Sequence, residues 1–206
     1  RGTIISLTLY GENKDAIKKA QEIYDTTAVE DIDGELRPLI ISSVTRHGDE
    51  KVVTDLLALY TSTHSSDLRQ DIAVGITSTR IPEQIDRLLE TMKNSHIVRP
   101  QDVTRWFVYL IRGRESREKT WTWLRDNWQW VFDTFGSDKS YDDYPRYSAS
   151  ALSTQTHLDE YKKFFNPKKD NIALKRVITM GISEIEGRLE LIERDGPAVR
   201  SALHDL

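Results

Sequence analysis

Apolar residues along this chain recur at spacings of three and four, the period of a helix that buries one face. In "NKDAIKKAQEIYD" the pattern puts Ala16, Ile17, Ala20, Ile23 and Tyr24 on one side. "ELRPLIISSVTRHG" carries Pro38 near its start and Gly48 just past its end, the usual asymmetry of a helix. "DEKVVTDLLALYTST" opens on a cap at Asp49 and repeats Val52, Val53, Leu56, Leu57 and Tyr60. "SSDLRQDIAVGITST" is capped by Ser65 or Ser66 and turns Leu68, Ile72 and Ile76 inward. The next helix starts at Pro82 and buries Ile85, Leu88, Leu89 and Met92; another runs from Pro100 to Gly113. No stretch keeps the alternation of a strand, so the predicted fold class is all-α with no sheet.

The segment "TWTWLRDNWQWVFDTF", residues 120–135, holds four of the five tryptophans. Read as one helix, it aligns Trp121, Leu124, Trp128, Val131 and Phe135 in a single stripe. That stripe predicts an element packed between neighbours, an anchor of the fold. Trp123 and Trp130 are seven apart and fall on a different face. They are the candidates for aromatic residues lining an open groove.

Residues 136–151, "GSDKSYDDYPRYSASA", gather Gly, Ser, Asp and Pro and read as irregular. Beyond them, "STQTHLDEYKKFFNP" and "DNIALKRVITMGISEIEGRLELIERDG" close the chain as helices. In the latter Leu174, Ile178, Ile182, Ile185, Leu189 and Ile192 form the inward stripe. Helix starts near 49, 66, 82, 100 and 116 recur every 16 to 18 residues. Two helices per roughly 34 residues is the length scale of helical-repeat solenoids. The architecture expected is a right-handed-type superhelical solenoid of antiparallel helix pairs, HEAT-like or ARM-like. No tetratricopeptide or ankyrin consensus is present, so the repetition is one of shape.

Composition narrows the class. Of 206 residues, 38% are apolar and 30% charged, which suits a folded helical protein rather than a disordered one. The 33 acidic and 29 basic residues are mixed along the chain and leave a net charge of -4. That balance gives no general attraction for nucleic acid, and none is expected as a partner. No apolar run approaches the roughly 20 residues that span a bilayer, so no membrane partner is expected. Without cysteine there is no disulfide and no thiolate metal site. The opening "RGTIISLTLY" has no secretory pattern. It begins without Met and inside a helix, as a piece of something longer would.

A search for chemistry finds little. A zinc peptidase needs two histidines on one helical face, as in H-E-x-x-H. His47, His64, His96, His157 and His204 are never three or four apart, and each reads as a loop or surface residue. There is no phosphate loop, no G-x-S-x-G and no G-x-G-x-x-G. The acidic pairs Asp142 and Asp143, and Glu184 and Glu186, read as solvated surface. "RGRESREK", residues 112–119, is the densest basic run; Glu115 and Glu118 within it point to a solvated helix junction rather than an anion site. No catalytic residue and no metal ligand is assigned, and the substrate-binding residues stay unknown.

Several stretches together resemble the C-terminal helical domain of the aminopeptidase N family, the zinc-dependent gluzincin aminopeptidases. In "DIDGELRPLIISSVTRHGDEKVVTDLLALYTST" the matching positions are Arg37, Gly48, Leu56 and Tyr60. "DIAVGITSTRIPEQIDRLLE" is similar to that domain's alanine-rich helix and the Leu-Leu helix after it. In "RPQDVTRWFVYLIRGRESREKTWTWLRDNWQWV" the positions Trp121, Leu124 and Trp128 match. "LSTQTHLDEYKKFF" and the closing Leu-rich helix also fit. The resemblance covers nearly all of the chain and looks closest to the cytoplasmic aminopeptidases of Gram-positive bacteria.

The resemblance implies that residues 1–206 form a single C-terminal α-superhelical domain, shortened at its N-terminal side. The catalytic domain, upstream and absent here, would carry the zinc and its general base, and metal-bound water would attack the first peptide bond. The superhelix would fold over that site, enclose a chamber and limit access to short peptides. Its partners would be the catalytic domain of the same polypeptide and the parent's peptide substrates. Zinc would belong to the parent, with none bound by this piece, which would hydrolyse nothing alone. The compartment implied is cytoplasmic. The alternative is a stand-alone helical-repeat scaffold that binds a partner protein along a concave face. A scaffold predicts polar capping helices at both ends, whereas "RGTIISLTLYG" is apolar and uncapped, which favours the first reading.

Overall fold

A computed structural model of the chain describes residues 2–204; the start at Arg1 lies outside them. Among the described residues there are twelve α-helices and no strand. The chain divides into two compact units, 1–120 and 121–206, with the division inside α8.

The first unit holds α1 (Gly2–Tyr10), α2 (Lys14–Thr26), α3 (Arg37–His47), α4 (Glu50–Ser62), α5 (Ser66–Ile76), α6 (Pro82–Thr91), α7 (Pro100–Arg112) and the first turn of α8 (Arg117–Asp126). Local chemistry sets these boundaries. Asn13 accepts a hydrogen bond from the Ala16 amide, Asp49 from Lys51 and Val52, and Ser65 from Leu68, so orphan amides of three helix starts are satisfied. Of the two serines open from sequence, Ser65 is the cap. Pro38, Pro82 and Pro100 each stand in a first turn, where a missing N–H costs nothing. Leu9, Ala20, Ile32 and Ile40 form a buried cluster with Ile5, Ile17 and Tyr24 against it. Further along, Val53, Leu56, Ile72, Ile76, Ile85, Leu88, Trp106 and Phe107 are fully buried. Each such side chain contributes roughly 1.5–3 kcal/mol through burial.

α3 packs on both α2 and α5. Its first residue, Arg37, reaches Asp71 of α5 at 3.0 Å and donates to the carbonyls of Glu30 (3.0 Å) and Ile32 (2.8 Å). One turn on from Asp71, Gly75 lies against Ile41, so close that an added Cβ would stand 2.7 Å from the Ile41 Cβ. Only a residue without a side chain permits that approach.

The second unit holds the rest of α8, α9 (Trp128–Phe135), α10 (Asp143–Ala151), α11 (Gln155–Phe165) and α12 (Ile172–His204). It departs from the sequence-based expectation in three places. The tryptophan segment is two helices, not one. Asn127 leaves helical geometry (φ -108°, ψ 20°), and its side chain donates to the Trp123 carbonyl at 2.9 Å. Residues 143–151, read as irregular, form α10. Pro145 falls in the first turn, and Tyr144, Ser148, Ala149 and Ala151 are buried. α12 runs through Gly196 and Pro197 to His204. The proline deprives the Glu193 carbonyl of its partner, but Glu193 is exposed and water can replace it. The inward stripe of α12 holds at Leu174, Ile178 and Ile185 and ends early: Ile192 is exposed.

α10 and α12 meet at Gly181, where an added Cβ would lie 2.9 Å from the Ala149 Cβ and clash with the Tyr161 hydroxyl. Arg188 of α12 donates to the carbonyls of Ala149 (2.9 Å) and Leu152 (2.5 Å), closing the end of α10. Among the described residues no helix is long and apolar enough to cross a membrane.

The close approach at Gly75 gives a measurable expectation. Gly75→Ala should lower unfolding stability by at least about 1–3 kcal/mol, since the new methyl meets Ile41. Gly187→Ala, where nothing lies within 4 Å, should instead raise it by up to about 1 kcal/mol. Urea denaturation of the two variants distinguishes the outcomes.

Candidate functional site

In the first unit, three connections and the end of α3 converge on one cleft of about 630 Å³. Its walls are the α1–α2 loop (Tyr10, Glu12), the end of α3 (Arg46), the α5–α6 turn (Thr77 to Arg80) and the α7–α8 turn (Arg112 to Arg117), with Val74 and Tyr109 behind. Five arginines stand around it: Arg46, Arg80, Arg112, Arg114 and Arg117. Two carboxylates, Glu12 and Glu115, answer them.

The two turns are firmly built. Ser116 is buried and its hydroxyl donates to the Leu110 carbonyl at 2.5 Å. Gly113 lies so near Ser116 that a side chain there would collide with the hydroxyl. The Arg117 amide bonds Gly113 at 3.0 Å, and Thr120 donates to the Ser116 carbonyl at 2.7 Å. Opposite, Thr77 donates to Ala73 at 2.8 Å, and Thr79, also buried, accepts from the Ile81 amide at 3.3 Å. The serine and threonine hydroxyls of these turns serve the backbone, and the guanidinium groups line the cleft together with Tyr10 and Tyr109.

Arg80 is spoken for in part. It pairs with Glu12 and lies 3.7 Å from Glu115. Glu12 is held at φ 57°, among the described residues the one non-glycine in the left-handed region. Such a backbone costs about 1–3 kcal/mol and persists only where surroundings enforce it. Here the Gly11 and Asn13 amides bond back to Leu7 and Thr8, and the side chain is tied to Arg80. That hydrogen bond and the Arg80 charge hold the Glu12 carboxyl below its usual range. Next to Arg46, His47 has its proton affinity lowered, first by burial and then by the Arg80 charge, with Glu12 opposing. The Nε of Arg117 is buried without a hydrogen-bond partner among the described residues. Arg46 and Arg114 make no ion pair among them.

The residues singled out from sequence fare differently. The run 112–119 reads from sequence as a solvated junction; Arg112 and Arg114 are exposed, and they line this cleft with Arg117. Lys119 instead pairs with Asp86 at 2.7 Å. Trp123 does not line an open groove. It is buried at 6% exposure, edge-on to Trp130 with centroids 5.9 Å apart. The break at Asn127 removes the separate face that a single helix would have given the pair. Trp130 is half-buried and also meets Phe135 edge-on. Trp121 and Trp128 pack as expected of anchors. Trp121 is fully buried, stacks on Tyr161 and donates its indole N–H to Glu160 at 2.7 Å. Trp128 lies against Tyr141, Phe164 and Phe165.

Of the five histidines, His47, His64, His96 and His204 are exposed. His157 is not: it is buried at the start of α11, its amide capped by Thr154 and its Nδ1 accepting from the Ser153 amide at 3.4 Å. Glu184 pairs with Arg188 at 2.8 Å and Glu186 with Lys162 at 2.7 Å, so they do not act together. Asp143 opens α10, where burial and then the Asp142 charge raise its pKa. Among the described residues no three histidines or carboxylates cluster as metal ligands do.

Comparison with known proteins follows the same lines. A family model described as the ERAP1-like C-terminal domain matches residues 1–187. The chain is 33% identical over 209 aligned positions to Aminopeptidase N of Lactococcus lactis subsp. cremoris, covering 100% of this chain and 25% of that protein. It is 29% identical to Aminopeptidase N of Lactobacillus delbrueckii subsp. lactis, covering 98% and 24%. A more distant likeness, 19% identical, is to Glutamyl aminopeptidase of Bos taurus, covering 100% and 22%. The chain thus spans about a quarter of the length of these curated relatives.

Two outcomes are expected. Trp123→Ala should cost about 3–5 kcal/mol in denaturant titration, with Trp130→Ala costing less because its ring is only half-buried. For His47, the folded pKa lies below the ordinary 6.5. The unfolded chain therefore takes up this proton first as pH falls. Its effect on stability is nil above that value and destabilising below it. His47→Gln should flatten this loss, read as a smaller fall in denaturation midpoint between about pH 7.5 and about pH 5.5.

Proposed function

Because the chain belongs to the ERAP1-like C-terminal domain family, we propose that it is the accessory C-terminal domain of a zinc metallo-aminopeptidase that removes N-terminal residues from peptides. In this reading residues 1–206 act as one domain whose helix pairs stack as a superhelical solenoid. The domain encloses the chamber over the active site and limits entry to short peptides. Zinc and the catalytic residues belong to the catalytic domain of the same polypeptide, and the enzyme works in the cytoplasm.

The observation that carries the reading is the extent of the match. The family model covers residues 1–187, and the whole chain aligns within a quarter of proteins named as aminopeptidases. The sequence itself has no H-E-x-x-H pair to supply a zinc site. Exposed apolar side chains add support. Ile4, Leu7 and Tyr10 recur every three residues along α1 and stand 66–77% exposed, as a surface that another part of the polypeptide covers would be.

The isolated chain, given aminoacyl-arylamides and zinc, should show no turnover. The parent enzyme lacking this region should lose its discrimination between short peptides and folded polypeptides, measured as the ratio of kcat/KM for the two. Turnover by the chain alone, or unchanged discrimination in the shortened parent, would refute the proposal.

A further inference from the structure

The arginine-lined cleft belongs to none of the chemistry assigned above. We propose that it is a binding site for a multiply charged phosphate-class anion, either an inorganic phosphate chain or the phosphate tail of a nucleotide. The proposal stands on the first unit alone, independently of the peptidase reading.

Size comes first. A volume of about 630 Å³ lies within the range of about 300–1,000 Å³ typical of small-molecule sites. Charge comes next. Of the five arginines lining the cleft, Arg46, Arg114 and Arg117 make no ion pair among the described residues, which leaves an excess of positive charge in a chain whose net charge is -4. A single carboxylate would leave most of that excess unanswered, whereas a di- or triphosphate carries a matching charge. Guanidinium groups also present paired N–H donors in the fork that phosphate oxygens accept.

The arrangement is built rather than incidental. Arg112, Arg114 and Arg117 project from a turn fixed by the buried Ser116 and by the close approach of Gly113. Arg80 follows a turn fixed by the buried Thr77 and Thr79. Glu12, in a backbone conformation that glutamate rarely adopts, holds Arg80 from the third side. Unspent donors remain: Arg117 keeps a buried Nε without a partner, and Arg46 and Arg114 keep whole guanidinium groups outside any ion pair among the described residues. Such like charges brought together repel, and an anion between them removes the cost.

Isothermal titration calorimetry of the 206-residue chain at low salt tests this with tripolyphosphate, ATP and succinate. Tripolyphosphate should bind saturably at one site, in the micromolar range, and more weakly as salt is added. Arg46→Gln with Arg114→Gln should weaken it at least about tenfold, or about 1.4 kcal/mol, with the fold checked by circular dichroism. Arg114→Glu alone, an exposed position, should do the same if the double variant folds poorly. Lys162→Gln, in the other unit, should leave binding unchanged. ATP binding about tenfold tighter than tripolyphosphate would identify a nucleotide as the source, and equal or weaker binding an inorganic chain; both support the site. No saturation at about 1 mM tripolyphosphate, equal affinity for succinate, or indifference to the arginine variants would overturn it.

Discussion

The ion pair between Arg37 and Asp71 fixes where α3 and α5 meet, and the first unit is arranged around that junction. Both side chains are largely buried, at 14% and 19% exposure. Burial raises the Asp71 pKa, and the Arg37 charge offsets only part of that effect. The pair therefore contributes registry more than net stability, as buried ion pairs tend to. Its three bonds from one guanidinium tie α5 to the segment before α3, and Gly75 then lets the two helices close onto Ile41. With α3 seated on α5, Arg46 at its far end arrives beside the α5–α6 turn, and the cleft exists.

Much of this was legible in the sequence. Asp49, and Ser65 of the pair Ser65 and Ser66, cap helices as the sequence predicts, and Asn13 and Thr154, which that reading did not single out, cap by the same chemistry. The apolar stripes of α4, α5 and α6 are the buried ones because one period decides both burial and helix geometry. What failed was context. Proline at 145 and at 197 reads as a breaker, yet one falls in a first turn and the other in an exposed stretch. Asn127 interrupts a pattern whose spacing continues across it, because α9 resumes with Trp128 again facing inward. Residues 10–12, 46, 77–80 and 112–117 share a cleft but no spacing, so no local pattern could join them. Glu12 between Gly11 and Asn13 is the least expected of that trio to take the left-handed conformation.

Arginine does two different jobs in this chain. Arg37, Arg69 and Arg188 spend their donors on main-chain carbonyls, which would otherwise end helices unsatisfied. Arg125 lies 5.0 Å over the Trp121 ring and 3.3 Å from Glu160, so it lids the aromatic cluster that Trp121 centres. Lys168 plays a similar part over Phe164 at 3.8 Å, and burial depresses its pKa. In all these places the cation completes a structure. Around the cleft, by contrast, cations accumulate beyond what their neighbours neutralise.

The 33 residues of α12 rise about 50 Å, yet only the N-terminal half lies in packed surroundings. Past Leu189, Leu191, Ile192, Val199 and Leu203 all stand exposed. One rod thus spans two thermodynamic regimes. Amides near Ile178 should exchange with deuterium only when the surrounding core opens, while those near Val199, on the exposed stretch, should exchange by local unwinding, so the helix is a single element in shape but not in cooperativity.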